Sequence, residues 1–567
     1  MKKKLSFLTI ICTLATASAF ATATDLVGSP SVSPRKPFTD AGTTGLDLNL
    51  VPPENTATGT TLYYIGTAVN VSKITTTEGY KYNIANGFTL DTNTAGSAVG
   101  IQDNSTSLTF ANPTTTASPT GALTVKNSAG NYETIINSNK LVIAQTNPVG
   151  TRTNAVQVHT DLTVNAKDFQ VTCNIDPQKA VTFVEVQGSR VLKIKGGTFT
   201  LGANALMKGF LASTIDLQSV STISGTINLN GYLKINENTT VENGGTVLFR
   251  SASNSKNETG ILFGEGKTIT FNSGSSLVLG GNSSAANDKS HTQTFTNKNV
   301  VFNGGNLQVQ GGWDLNYDAP EGTDVSKTNI NLGSLTLGGL NTSSVMTSGA
   351  MKVGKYNRVQ AKNVVINQDS FYEGYGAIDV KDGGSITLEE GSGILLQDID
   401  TGVSNRGRII LRSNSTVNIN GVSSLSRIDA NGNTKNGVLL AITGATTFNV
   451  NADVSFGTIA NSSASTMTIN LLNDLATFKI ADMESTLNEN ARIVVNNFQN
   501  DRVYFGGDTI QNYLDRFVLQ DANGNLLNGA ISINNGWLTL TAVPEPAEWA
   551  MIFGAIALGL AVYRRRK

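Results

Sequence analysis

The most persistent pattern along the chain is alternation. TINLN at Thr226–Asn230, TITFN at Thr268–Asn272 and NVVFN at Asn299–Asn303 all place an apolar residue at every second position. TVNIN at Thr416–Asn420, TFNVN at Thr447–Asn451 and TMTIN at Thr466–Asn470 do the same. A period of two is the signature of a strand with one buried face. Each phrase ends in Asn, which tolerates the left-handed backbone that turns require. Other alternating runs open on Gly-Gly: NGGTVLF at Asn243–Phe249, NGGNLQVQGG at Asn303–Gly312 and DGGSITLEEGSGILL at Asp382–Leu396.

Short strands at intervals of roughly 8–20 residues allow a sandwich, a propeller or a solenoid. The units here keep no fixed blade length and run on without a domain break. They predict an all-β chain whose main body is a right-handed parallel β-solenoid, or β-helix. Inward Ile, Leu, Val and Phe would form one long core. Asn side chains at equivalent corners would stack into ladders. The alternative, tandem β-sandwiches, predicts clear linkers, and none is visible.

Proline divides the body. Nine of the 12 prolines lie between Ser29 and Gln178, and from there to Val543 only Pro320 occurs. Proline removes a ladder donor, so regular sheet excludes it. Residues 24–150 are therefore expected to be an irregular β-rich region with hairpins such as LTVKNSAGNYETII. Residues 151–480 are expected to be the solenoid, and residues 481–543 terminal strands and a cap. ADMESTLNENA, Ala481–Ala491, is the one helical candidate. DANGN occurs twice, at Asp429–Asn433 and Asp521–Asn525. Its Asn-Gly is a hairpin-turn signal. A calcium loop would need a differently placed Gly and a closing Glu.

Both ends of the chain differ from the body. MKKKLSFLTIICTLATASAFATATD has a basic start, a short apolar stretch and small residues at Ala19, Ala21 and Ala23. It reads as a signal peptide over residues 1–23, with those alanines marking the cleavage region. At the other end, VPEPAEWAMIFGAIALGLAVYRRRK holds a mostly apolar run, Trp549–Tyr563, before four basic residues. As a helix that run spans only about 22 Å. It predicts a short transmembrane helix, with Arg564, Arg565, Arg566 and Lys567 as a stop-transfer tail on the cytoplasmic side. Pro544 and Pro546, on either side of Glu545, hold the backbone extended ahead of the helix.

Charge narrows the partners. Net charge is −1 over 567 residues, and charged residues are 15%. Without the basic termini the body is net acidic, by about six charges. That argues against a nucleic-acid partner, which draws a basic patch. Two cysteines occur, and Cys12 lies in the leader. The exported chain would keep only Cys173 and hold no intrachain disulfide.

The order Pro544-Glu545-Pro546, apolar helix, Arg cluster resembles the PEP-CTERM sorting signal. This resemblance implies an exported protein of a Gram-negative-type bacterium. Signal peptidase and the secretion machinery would release it into an intermediate anchored in the inner membrane. Exosortase, a membrane transpeptidase-like enzyme, would then pass it to the cell surface, the outer membrane or the extracellular matrix. The body is similar in composition to the autotransporter-like β-helical regions that precede such tails. No series of amphipathic strands resembling a membrane barrel accompanies it.

Solenoids also carry glycosidases and lyases, whose chemistry needs acid–base groups or paired carboxylates. Only His159 and His291 occur, in unrelated contexts. Asp398 and Asp400 in LLQDID share one face of a strand and faintly resemble the paired Asp of polygalacturonase-type enzymes, without their His and Arg motifs. Arg190, Lys193 and Lys195 are expected on a solvated outer face. The expectation is therefore not an enzyme but a structural, adhesin-like surface protein. It would have no cofactor, metal or catalytic residue, and extracellular polysaccharide is the partner in view. A β-helical carbohydrate-active enzyme is the alternative.

Overall fold

The computed structural model describes residues 23–566 except 43–44, 68, 86, 113–122, 146–155, 174–183, 211, 251–259, 281–292, 295–298, 316–328, 341–345, 348, 354–357, 399–406, 462, 484–486 and 542–545. The chain winds as a parallel β-solenoid in which each turn lays one strand on each of three faces. Phe371–Tyr375 pairs with Gly393–Gln397, and that strand pairs with Ser424–Ile428, on the first face. Residues 377–380 pair with Arg408–Leu411, and then Leu439–Ile442, on the second. Residues 385–388 pair with Ser415–Ile419, and then Thr446–Val450, on the third. These ladders are parallel, so a stack of sandwiches is excluded.

The alternating phrases are the third- and second-face strands. TVNIN, TFNVN and TMTIN lie in register, with Val417 opposite Phe448 and Phe448 opposite Ile469. The turn lengths vary: from Asn418 the next rungs lie 31, 21 and 26 residues on. Connecting segments absorb the difference, so the stack shows no fixed period in sequence.

The Gly-Gly openers mark one corner, between the second and third faces. Gly244, Gly304 and Gly383 have φ of +84°, +79° and +65°, and Asn414 takes the same place with +58°. The second glycine is needed for room. A Cβ on Gly245 would lie 2.3 Å from the Ile223 carbonyl oxygen, and one on Gly384 would lie 2.1 Å from that of Lys362. The corner thus demands a left-handed backbone, followed by a glycine or, at Ser275 and Ser415, a small buried serine.

The core is one column of apolar side chains along the axis. Phe38 packs edge-on to Phe88 at 5.2 Å, and Tyr64 stacks on Tyr82 at 6.0 Å. Further along, Phe169 meets Phe199, Phe271 stacks on Phe302, and Phe448, Phe456 and Phe478 form a cluster. Burying each such ring contributes about 1.5–3 kcal/mol.

Four expectations need correction. Parallel stacking begins at Thr24–Val27, which pairs with Leu46–Val51, so the described strands between residues 24 and 145 belong to the same stack. Leu123–Lys126 pairs with Val156–Val158 straight across the expected boundary at 150. Pro30, Pro34, Pro52 and Pro53 sit in connecting segments, where no ladder donor is lost. Among the described residues of this stretch, irregularity takes the form of register shifts near Leu46 and Ile135 and a 3-10 turn at Phe38–Ala41. LTVKNSAGNYETII is not a hairpin. Leu123–Lys126 and Thr134–Gln145 each pair in parallel with neighbouring turns, because those ladders bury both apolar sets at once. ADMESTLNENA is not a helix among the described residues. Its start completes the strand Phe478–Met483 against Val454–Asn461, where a ladder overrides weak helical propensity. The fourth correction concerns the tail helix and is given below.

The C-terminal end of the stack is closed by antiparallel structure. Ala530–Asn534 and Trp537–Thr541 form a hairpin, and Tyr504 of Val503–Phe505 pairs with Trp537. Their rings meet edge-on at 5.2 Å. Lys479 Nζ lies 5.3 Å from the Trp537 ring centroid. A reversed strand with a two-residue turn ends the parallel ladder and covers its edge.

Candidate functional site

The tail was the most specific sequence feature. Pro546–Arg565 forms an α-helix of 20 residues, with Arg564 and Arg565 in its last turn and Arg566 just beyond. Met551, Phe553, Leu558 and Leu560 on it are exposed. Among the described residues, however, no helix is long and apolar enough to cross a membrane. That corrects the expected transmembrane helix. The helix is longer than its apolar run because Pro546–Glu548 form its first turn, and polar ends dilute the apolar middle. Pro544, Glu545 and Lys567 lie outside the described residues, as do Ala19 and Ala21. Ala23 is exposed and directly precedes the first strand, Thr24–Val27.

The carboxylate candidates do not form a described pair. The Asp398 side chain is 5% exposed, accepts the Gly407 N–H at 2.6 Å and lies 4.0 Å from Arg427 Nε. Asp400 lies outside the described residues. A nearly buried carboxylate held by a backbone donor and faced by an arginine organises the chain locally. Lys193 points outward from the first face and bridges Glu133 at 2.9 Å, and Lys195 is exposed. Arg190 is half-buried, and its backbone N–H bonds the Gln187 carbonyl in the turn before that strand. His159 is exposed, His291 lies outside the described residues, and Cys173 is half-buried and forms no disulfide. No group of three or more His, Cys, Asp and Glu suited to a metal occurs among the described residues.

Both DANGN segments are tight turns with the same internal bonds. Asp429 Oδ1 accepts the N–H of Asn431 at 3.0 Å and of Asn433 at 2.9 Å. Asp521 Oδ1 accepts the N–H of Asn523 and of Asn525, both at 2.8 Å. The first joins an antiparallel pair, Ser424–Ile428 with Thr434–Asn436. Donors from Asn433 and Asn525 hold these two carboxyls below the usual carboxylate range.

Two features were missed in the sequence. The first is an ionic cluster on the second face. Asp379 is fully buried although its side chain lies on the outward side of its strand. Arg412 Nε and a terminal nitrogen bond its two oxygens at 2.8 and 2.9 Å. Arg358 also bonds Asp379, and Gln360 Nε2 does so at 3.2 Å. Lys381, two residues on, donates to the Leu332 carbonyl at 2.7 Å. Burial lowers the Lys381 pKa, and the Asp379 charge opposes that shift. The five groups come from three successive turns, so only the coil register unites them.

The second is an amide ladder on the third face. Asn449 Nδ2 donates to Asn418 Oδ1 at 2.8 Å, Asn470 to Asn449 at 2.8 Å and Asn496 to Asn470 at 2.7 Å. Ladders were expected at corners, from the terminal Asn of each phrase. Terminal Asn303 and Asn272 do bond this way at 3.2 Å, while the long ladder joins mid-strand Asn418 and Asn449 to terminal Asn470, and corner Asn420 bonds Glu389. A signal was present: the third residue of TVNIN and of TFNVN is Asn at the same strand position.

No family model, curated protein or solved structure matches this chain.

Proposed function

We propose that this is an exported structural and adhesive protein, displayed at the cell surface or in the extracellular matrix of a Gram-negative-type bacterium. The carrying observation is the pairing of a long capped solenoid with a separate, exposed apolar helix that ends in arginines. The solenoid supplies an extended contact surface for carbohydrate or neighbouring cells. The helix and the Pro544–Pro546 segment supply handling rather than contact. Signal peptidase removes the leader in the region of Ala19, Ala21 and Ala23. The exposed apolar helix then holds the intermediate at the inner membrane. Exosortase acts near Pro544-Glu545-Pro546 and passes the body outward.

The layout supports this order. The first strand begins immediately after Ala23, so cleavage there leaves that strand whole. The capping strand Trp537–Thr541 ends before Pro544, so release at the motif leaves the cap whole.

Replacing Pro544, Glu545 and Pro546 together by alanine tests the sorting reading. The variant is expected to accumulate unprocessed in inner-membrane fractions. Processing and surface display like wild type would overturn it. A glycan array probed with the exported protein tests the contact reading separately.

A further inference from the structure

The third face differs from the other two in charge. Its two outward columns start at Thr226 and Asn228 and run to Val518 and Asn496 through continuous parallel register. No charged residue occupies either column over that length. The positions are Ser, Thr, Asn and Gln, with Leu248, Val278, Val365, Val494 and Val518 as the apolar exceptions. They are half-exposed, apart from buried Asn228 and exposed Asn363. One rung earlier the column holds Lys208, opposite Asn228. The first face carries Lys193, Asp216 and Lys234 in one column. The second carries Arg358, Asp379 and Arg412. With 15% charged residues in the chain, a surface strip this long would ordinarily collect several.

Resting on the carbohydrate-contact reading above, we infer that this strip is the docking face for an uncharged, extended polysaccharide lying along the solenoid axis. Charges covered by a neutral partner lose hydration without gaining a counter-ion, so such faces exclude them. An acidic polymer would find no cation in these columns, with Arg492 only at the strip's edge beside Val494, and would meet a net acidic body. A second copy of the chain would call for a more apolar strip, whereas hydroxyls and amides dominate this one. The amides retain capacity for a ligand. Each inner ladder Asn spends one N–H and one acceptor site on its neighbours and keeps another of each. The rungs repeat at about 4.8 Å, close to the length of one sugar unit, so successive sugars meet equivalent groups. Over this span the strip is on the order of 50 Å long.

Co-sedimentation of the full exported chain with cellulose or chitin tests this, with alginate as the acidic comparison. The double variant Thr447→Lys, Thr468→Lys places charge on the strip and spares the Asn ladder. Thr222→Lys, Thr240→Lys places equal charge on the second face. Neutral polymer should be retained by wild type and by the second-face variant, and at least tenfold less by the third-face variant. Far-UV circular dichroism reports folding, and single Thr416→Lys serves if the double variant fails to fold. Preference for alginate would overturn the inference. So would a dimer in sedimentation velocity that the same lysines abolish. If no polysaccharide is bound at all, the carbohydrate-contact reading fails with it. If wild type binds and the third-face lysines change nothing, only the choice of face fails.

Discussion

Arg412 grips Asp379 across one turn of the solenoid, Nε to one carboxylate oxygen at 2.8 Å and a terminal nitrogen to the other at 2.9 Å. The carboxylate is fully buried, while the Arg412 side chain is 38% exposed. The asymmetry decides which partner matters more. Removing Asp379 leaves Arg358 and Arg412 facing each other without a counter-charge. Removing Arg412 still leaves Arg358 and Gln360. Asp379→Ala should cost about 3–5 kcal/mol, and Arg412→Ala clearly less. Turns of a solenoid unfold semi-independently, so hydrogen exchange across residues 358–412 is the measure. Equal protection in both variants would contradict this ordering.

Asn449 sits in the middle of the amide ladder. Asn449→Ala deletes two hydrogen bonds and frees one acceptor on Asn418 and one donor on Asn470. Both face outward, where water replaces part of the loss. The expected cost is about 1–2 kcal/mol, read as loss of exchange protection in the three neighbouring strands. Asn496→Ala, at the ladder's end, deletes one bond and should cost about half as much.

Three large tyrosines are buried in the core, and they should respond differently to losing the hydroxyl. Tyr82 Oη lies 2.9 Å from the Leu50 carbonyl oxygen and 3.1 Å from the Thr77 nitrogen. Tyr64 Oη reaches the carbonyls of Leu26 and Val51, both at 3.2 Å. Tyr372 Oη has no hydrogen-bond partner among the described residues. Tyr82→Phe should destabilise by about 1 kcal/mol, and Tyr372→Phe should be neutral or stabilising. Thermal melts of the two variants check the sign.

Acid should loosen the structure through four carboxyls. Asp521 and Asp429 are held low by donors from Asn525 and Asn433. For Asp91 and Glu133 burial pushes the pKa up. Ser128 and Lys126 outweigh it for Asp91, and Thr163, Lys193 and Ser97 outweigh it for Glu133. Their folded values lie below the ordinary 3.8 and 4.5. Stability from these groups is therefore complete above those values and is lost as pH falls through the folded ones. Melting temperature should stay flat near neutrality and drop below about pH 4.5. Asp521→Asn should shallow that drop, and an unchanged acid slope would contradict the assignment.

Much of the fold was legible locally. Alternation in TINLN or TMTIN identifies a strand and its buried side without reference to anything distant. Gly-Gly in NGGTVLF identifies a corner, because its left-handed φ and missing Cβ are demands of the backbone itself. Asn-Gly in DANGN identifies a tight turn. Which strands lie beside one another was not legible, since the turns differ in length and no period links Asn418 to Asn449, Asn470 and Asn496. The apparent boundary near residue 150 followed from proline content, which reports loop composition and not the ladder that crosses it.

The sequence by itself determined strands, corners and the two distinctive termini, because each depends on residues within a few positions of one another. Only the tertiary structure decided that Asp379 meets Arg358 and Arg412, that four asparagines share one column, and that two columns of the third face carry no charge from Thr226 to Val518. Those relations join residues about 20–30 positions apart in a stack where lateral neighbours come from successive turns. The register of those turns is set by the apolar column inside, where a one-residue slip would turn every buried side chain outward.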